Sequence, residues 1–112
     1  MTHPADEAGV QAVVVEVARL AGWKVAHFRP ARTDKGWRTP VTADGVGWPD
    51  LVLVRPPRII FAELKSESGK VRPEQTEWLS VLRLLPGSET HLWQPSDWDA
   101  IVETLTGSRK AA

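Results

Sequence analysis

The residues of this sequence best suited to chemistry are Asp50, Glu63 and Lys65, and they fall within one stretch from Gly47 to Lys65. It reads Gly47-Trp48-Pro49-Asp50, an apolar run from Leu51 to Val54, a break at Arg55-Pro56-Pro57-Arg58, and a second apolar run from Ile59 that closes on Glu63-Leu64-Lys65. Two short runs rich in β-branched residues around a proline break mark a β-hairpin. With the loop centred on the Pro56-Pro57 bond, Asp50 sits directly across from Glu63. Opposed side chains share a face with Cβ atoms about 5 Å apart, and alternation returns Lys65 to that face. A slip of one residue would send the two acids to opposite faces. Prolines cannot supply the positive φ of a tight primed turn, so a looser loop about the same centre is expected.

Two carboxylates and an ammonium at one end of a hairpin form an expensive arrangement, because neighbouring acids resist ionising together. A divalent cation removes that cost. Oxygen ligands suit Mg²⁺ or Mn²⁺, which retain waters and are completed by substrate phosphate. Such an ion makes a water more acidic and neutralises a phosphoryl oxygen, while a lysine orients the nucleophile and stabilises developing charge. This is chemistry for cutting a phosphodiester. A lone Asp at a strand end, or a lone Glu-x-Lys, is more often a cap or a solvated ion pair. Here Glu63 and Lys65 close one apolar run and lie opposite a Pro49-Asp50 that opens another.

The elements that must position these groups follow from the rest of the chain. At 112 residues it is expected to form a single domain over 1–112. It has no cysteine, which excludes disulfides and thiolate zinc sites. No apolar segment approaches the roughly 20 residues needed to cross a bilayer, and no signal peptide is visible, so no membrane partner is expected. The net charge of zero argues against a purely electrostatic nucleic-acid binder. Locally, however, Lys24, Arg29, Arg32, Lys35 and Arg38 face only one acid, Asp34.

Residues 5 to 21 place Val10, Val13, Val14, Val17, Leu20 and Ala21 at helical spacing before Gly22. Their length favours a helix over a strand, despite the valine run. Glu7 and Gln11 share the inward edge of its first turns, where Glu7 suits either a site or the positive helix end. Trp23 to Phe28 alternates as a strand, with His27 structural or cleft-lining rather than a metal ligand. From Arg29 to Trp48 a long loop is expected, with room for a short hairpin. Its Arg29, Arg32, Lys35, Trp37 and Arg38 suit a segment that grips a nucleic-acid backbone and stacks on a base; Trp37 also suits inward packing.

Pro73 starts a helix with Gln75, Trp78, Leu82 and Leu85 on one stripe, ended by Pro86-Gly87. Gln75 is its polar member, and a buried amide needs partners, the nearest being the carboxylate and lysine of the preceding strand. Glu89 to Gln94 reads as a last strand. Ser96 to Asp99 resembles a capping box before a helix with Trp98, Ile101, Val102 and Leu105 inward, and the tail from Gly107 is expected to fray. The order is helix, strand, two-stranded hairpin, helix, strand, helix: an α/β sandwich with helices on both faces of the sheet.

Gly47-x-Pro49-Asp50, Glu63-x-Lys65, Gln75 on the following helix and Glu7-x-x-x-Gln11 near the start together resemble the VRR-NUC family of the PD-(D/E)XK nuclease superfamily, particularly its small stand-alone phage and bacterial members. The resemblance spans about Glu7 to Leu105. It implies a restriction-endonuclease-like mixed sheet flanked by helices and a metal held by Asp50, Glu63 and the carbonyl of Leu64. Lys65 would position the attacking water, Gln75 would support the site, and Glu7 would act directly or through a water. The implied activity is that of a Mg²⁺- or Mn²⁺-dependent, structure-specific DNA endonuclease, on branched or four-way-junction DNA in repair or recombination. A homodimer in the cytoplasm of a bacterial or phage-infected cell would be its setting. Arg72 departs from the pattern, standing where a capping Ser or Thr is common. The competing functions are a nucleic-acid-binding accessory module that does not cut, and a plain structural domain, which leaves the aligned polar residues unexplained.

Overall fold

The β-branched runs around Pro56-Pro57 form the two central strands of a mixed sheet in a computed structural model that describes residues 7–28 and 31–107. In chain order the elements are α1 (Glu7–Leu20), β1 (Lys24–His27), β2 (Ala31–Thr33), β3 (Gly36–Arg38), β4 (Leu51–Arg55), β5 (Arg58–Leu64), α2 (Pro73–Arg83), β6 (Ser88–Trp93) and α3 (Trp98–Thr106), with one tight helical turn at Pro95–Asp97. The main sheet is ordered β1-β4-β5-β6; its first two pairings are antiparallel and the third is parallel. A parallel pair needs a crossover, and α2 supplies it.

The hairpin has the register expected from its centre, with Leu51 opposite Ala62 and Leu53 opposite Ile60. Its connection is tighter than the expected loop. Pairing continues to Arg55 and Arg58, so the two prolines, joined by a cis bond, form the whole turn. The long segment before β4 carries the short hairpin allowed for it, a separate two-stranded sheet of β2 and β3 with Arg32 opposite Trp37.

Alternation sends Leu51, Leu53, Ile60, Ala62 and Leu64 to one face, where they form a core with Val10, Val14 and Ala18 of α1 and Ile101 and Leu105 of α3. The other face carries Phe61 and Glu63 toward α2. Helices thus cover both faces, as the pattern of the hairpin required. Among the described residues, no helix is long and apolar enough to cross a membrane.

Several inward positions are corrected. Leu20 is 82% exposed, because the buried stripe Val10-Val14-Ala18 advances by four and leaves Leu20 about 200° round from Ala18. In α2 the buried residues are Gln75, Leu79 and Leu82, with Trp78 half-buried. That helix ends at Arg83, short of Pro86-Gly87, so Leu85 leaves the stripe and stays exposed. Asp97 rather than Ser96 stands at the N-cap of α3 and makes no side-chain cap there; its carboxylate instead accepts the Gln94 N–H at 2.9 Å, closing the tight turn at Pro95–Asp97. Residues 5 and 6, Arg29 and residues 108–112 of the tail lie outside the described residues, while Gly107, where fraying was expected to begin, is half-buried and its carbonyl accepts from Arg55 and Arg58.

The turn end of the hairpin is fastened by its two arginines. Arg55 donates to the carbonyls of Ala21 at 2.9 Å, Leu105 at 3.2 Å and Gly107 at 2.6 Å. Buried Arg58 makes a two-pronged pair with Glu89 at 2.8 and 2.6 Å and donates to Gly107 O at 2.7 Å. Both guanidiniums lie over the Trp23 ring, 4.7 and 4.8 Å from its centroid. Cations at a helix C-terminus complement its dipole, and these two close both α1 and α3. Breaking a buried pair from one side is costly. Arg58→Ala is expected to lower unfolding free energy by about 3 kcal/mol, read from the urea midpoint; a shift below about 1 kcal/mol would show that the pair carries little.

Candidate active site

Asp50 lies one step beyond the Leu51–Ala62 pair, which carries its side chain to the face of Glu63. Its carbonyl accepts the Phe28 N–H at 2.9 Å, and its side-chain Oδ2 accepts the Leu64 N–H at 2.8 Å. The carboxylate thus takes the place of the next acceptor in the strand ladder. That anchors it at the end of β5.

Glu63 is only 2% exposed. Its Oε1 accepts the side-chain amide of Gln75 at 2.8 Å, while Gln75 Oε1 accepts the Arg72 N–H at 2.9 Å. With its oxygen committed to the backbone, the Gln75 amide must turn its NH₂ to the carboxyl. Glu63 Oε2 is buried and meets no donor among the described residues. Burial above all, then the Asp50 charge and a hydrogen bond shared with Asp50, push the Glu63 carboxyl up to about 8. Lys65, on the same face by alternation, pulls it the other way, and Glu7 adds to the rise. The Glu7 carboxyl at the head of α1 is itself raised, by burial and then by Asp50, against the pull of Lys65. Four residues named from the sequence therefore share one electrostatic neighbourhood.

A buried carboxylate oxygen without a donor, beside a second acid, is a donor set that fits a hard divalent cation. Among the described residues, no three His, Cys, Asp or Glu side chains are grouped to hold a metal. An ion at this place would rest on two carboxylates, with main-chain oxygen and water completing its shell.

The loop before β4 is pressed onto α2. Gly47 has φ +91°, and a Cβ there would stand 2.6 Å from the backbone of Glu74. Glycine alone allows that approach. Trp78 Nε1 donates to Asp44 O at 2.9 Å, and Trp48 packs edge-on against Phe28, Phe61 and Trp78 with centroids 6.2, 5.7 and 5.0 Å away. Glu7, Asp50, Phe28, Trp37, Arg38 and Trp48 line one cleft of about 280 Å³.

The residues expected to meet nucleic acid are placed less uniformly. Arg32, Lys35, Trp37 and Arg38 are all exposed on the β2–β3 hairpin, and Trp37 and Arg38 reach the cleft. Trp37 is not packed inward. Arg29 lies outside the described residues. His27 Nδ1 lies 3.3 Å from the Gln11 amide nitrogen, the structural alternative for that ring. Arg72 makes no side-chain cap for α2; its own N–H is satisfied by Gln75, and it too lines the cleft. Sequence reasoning passed over Phe28 and Trp48 as site residues, although a tryptophan between Gly47 and Pro49 was a signal.

A family model described as the VRR-NUC domain matches residues 5–92. The chain belongs to the VRR-NUC domain family. No curated protein and no solved structure matches it. The matched span holds every site residue named above, and the mixed four-stranded sheet with three flanking helices is consistent with a VRR-NUC nuclease fold. VRR-NUC membership points to nuclease-type function on DNA.

The acidity of Glu63 yields a stability prediction. Its folded pKa of about 8 lies above the ordinary 4.5, so the metal-free fold is favoured while the proton is held and loses that contribution as pH rises through about 8. In EDTA, Tm is expected to fall by about 5 °C or more between roughly pH 6 and pH 9, and Glu63→Gln should flatten the fall. An equal fall in both proteins would remove Glu63 as its cause.

Proposed function

We propose that the chain is a metal-dependent endonuclease that hydrolyses phosphodiester bonds in DNA, with Asp50 and Glu63 holding Mg²⁺ or Mn²⁺ and the Leu64 carbonyl adding a third oxygen. The observation that carries this reading is the buried Glu63 Oε2, without a donor, beside Asp50 and held in place by Gln75. When bound, the ion supplies a more acidic water and neutralises charge on a phosphoryl oxygen.

The protein's own groups do the remainder. Gln75 fixes one oxygen of Glu63 and leaves the other to face Asp50. Lys65 shares that face and is the cation placed to orient the attacking water and to meet negative charge as it develops. Attack at phosphorus breaks the bond to the leaving 3′ oxygen, giving 5′-phosphate and 3′-hydroxyl ends. Glu7, at the edge of the same field, acts directly or through a water. Arg32, Lys35 and Arg38 grip the DNA backbone while Trp37 offers a stacking surface. Branched or four-way-junction DNA is the preferred substrate, in repair or recombination, and a homodimer suits cutting two strands symmetrically.

The test is incubation of the purified protein with branched and linear DNA in Mg²⁺, Mn²⁺ or EDTA. Cleavage is expected with either ion and not in EDTA. Asp50→Ala should abolish it, and Lys65→Ala should lower kcat by about 10²- to 10³-fold with the fold retained by circular dichroism. Binding without cutting in every metal would reduce the chain to an accessory module, and indifference to DNA would end the reading.

A further inference from the structure

The cleft lined by Glu7 and Asp50 is also aromatic. Phe28 is 39% exposed and Trp37 62% exposed, though both are large apolar side chains. Trp48 stands edge-on to Phe28 at the back of the same cleft. Arg38 and Arg72 line it as well. Arg32 lies over the Trp37 ring, 5.8 Å from its centroid, so a cation already occupies one stacking position on an open indole. Aromatic surface left in water beside acidic groups is surface kept for a ligand.

The occupant must satisfy three conditions. It must be flat and present a π-face, to use Trp37 and Phe28. It must carry negative charge beside that face, to use Arg38 and Arg72. It must also be small: at about 280 Å³ the cleft falls just below the roughly 300–1,000 Å³ of drug-sized sites, room for a single ring system and far too little for a duplex. A base inside a duplex hides both faces in the stack, whereas an unpaired base exposes them. We propose that this cleft receives one unpaired nucleobase next to the phosphate to be cut, so that the substrate is DNA with an unpaired nucleotide at the cleavage point; the inference rests on the nuclease reading of Asp50 and Glu63. Trp37 is the stacking platform, Phe28 and Trp48 form the wall, and the two arginines take the flanking phosphates. Stacking of this kind tolerates every base, so the selection is for DNA shape and not for sequence.

The test measures binding in EDTA, where cutting does not intervene, to short duplexes that differ at one place: fully paired, with one bulged thymidine, and with the same bulge made abasic. The bulged duplex is expected to bind about 5- to 150-fold more tightly than the abasic one, the range that loss of one base–aromatic stack gives. The abasic duplex should match the fully paired one. Trp37→Ala should erase the preference, and Trp37→Phe should restore most of it. The side chain is exposed, so these variants are expected to fold, as circular dichroism checks. Equal affinity for bulged and abasic DNA, a preference that survives Trp37→Ala, or tighter binding of the fully paired duplex would each overturn the inference. Cleavage in Mg²⁺ or Mn²⁺ separates the two readings. Metal-dependent cutting without a base effect leaves the nuclease and removes the pocket, while a base-dependent affinity without cutting in any metal leaves the pocket and removes the nuclease.

Discussion

Two acids forced together, Glu63 buried and Asp50 half-buried at a cleft, are the constraint around which this fold is arranged. Asp50 and Glu63 meet because the β4–β5 register leaves them opposed, and each is held by a donor that belongs to the fold: the Leu64 N–H for one, the Gln75 amide for the other. Neither donor neutralises the pair. The outcome is a carboxyl pushed up to about 8 in a domain whose buried side chains are mostly apolar. A strongly perturbed acid beside a cleft is a functional-site candidate.

The crossover explains how the second support arrives. Because β6 lies parallel to β5, the chain must return along the sheet, and α2 begins again near the end where β5 stops. The positive end of the helix is thereby brought toward the acids, with Gln75 in its first turn. The same turn receives the Gly47 loop, whose backbone lies so near Glu74 that no side chain could stand between them. The wall of the cleft and the support of Glu63 are therefore parts of one packed unit.

Much of this was legible because it depends on local pattern. Proline symmetry fixed the hairpin centre, and from that centre the pairing of Asp50 with Glu63 followed without knowledge of any other element. Gln75 was legible as a polar residue on an apolar stripe. What stayed hidden depends on where elements end and on what lies across from them. Helical spacing alone cannot tell that α2 stops at Arg83, and so Leu85 was assigned inward while Leu79 was passed over. The turn was misjudged because strand pairing runs on to Arg55 and Arg58, which residue type does not announce, and leaves only the two prolines as the connection. Phe28 and Trp48 belong to segments far apart in sequence that only the folded loop brings together, and Arg72 supports Gln75 through its backbone N–H, where residue type gives no signal.

The hairpin has two ends with different duties. Arg55 and Arg58 clasp the carbonyls that finish α1 and α3, while the acids sit at the other extremity, about 17 Å away for a strand of five residues. Changes separated by more than roughly 7–10 Å without shared partners usually combine additively. Robustness and activity are accordingly separable traits in this molecule, so a designer could harden the proline end to tolerate heat and leave the reactive end free to be re-tailored for a different substrate.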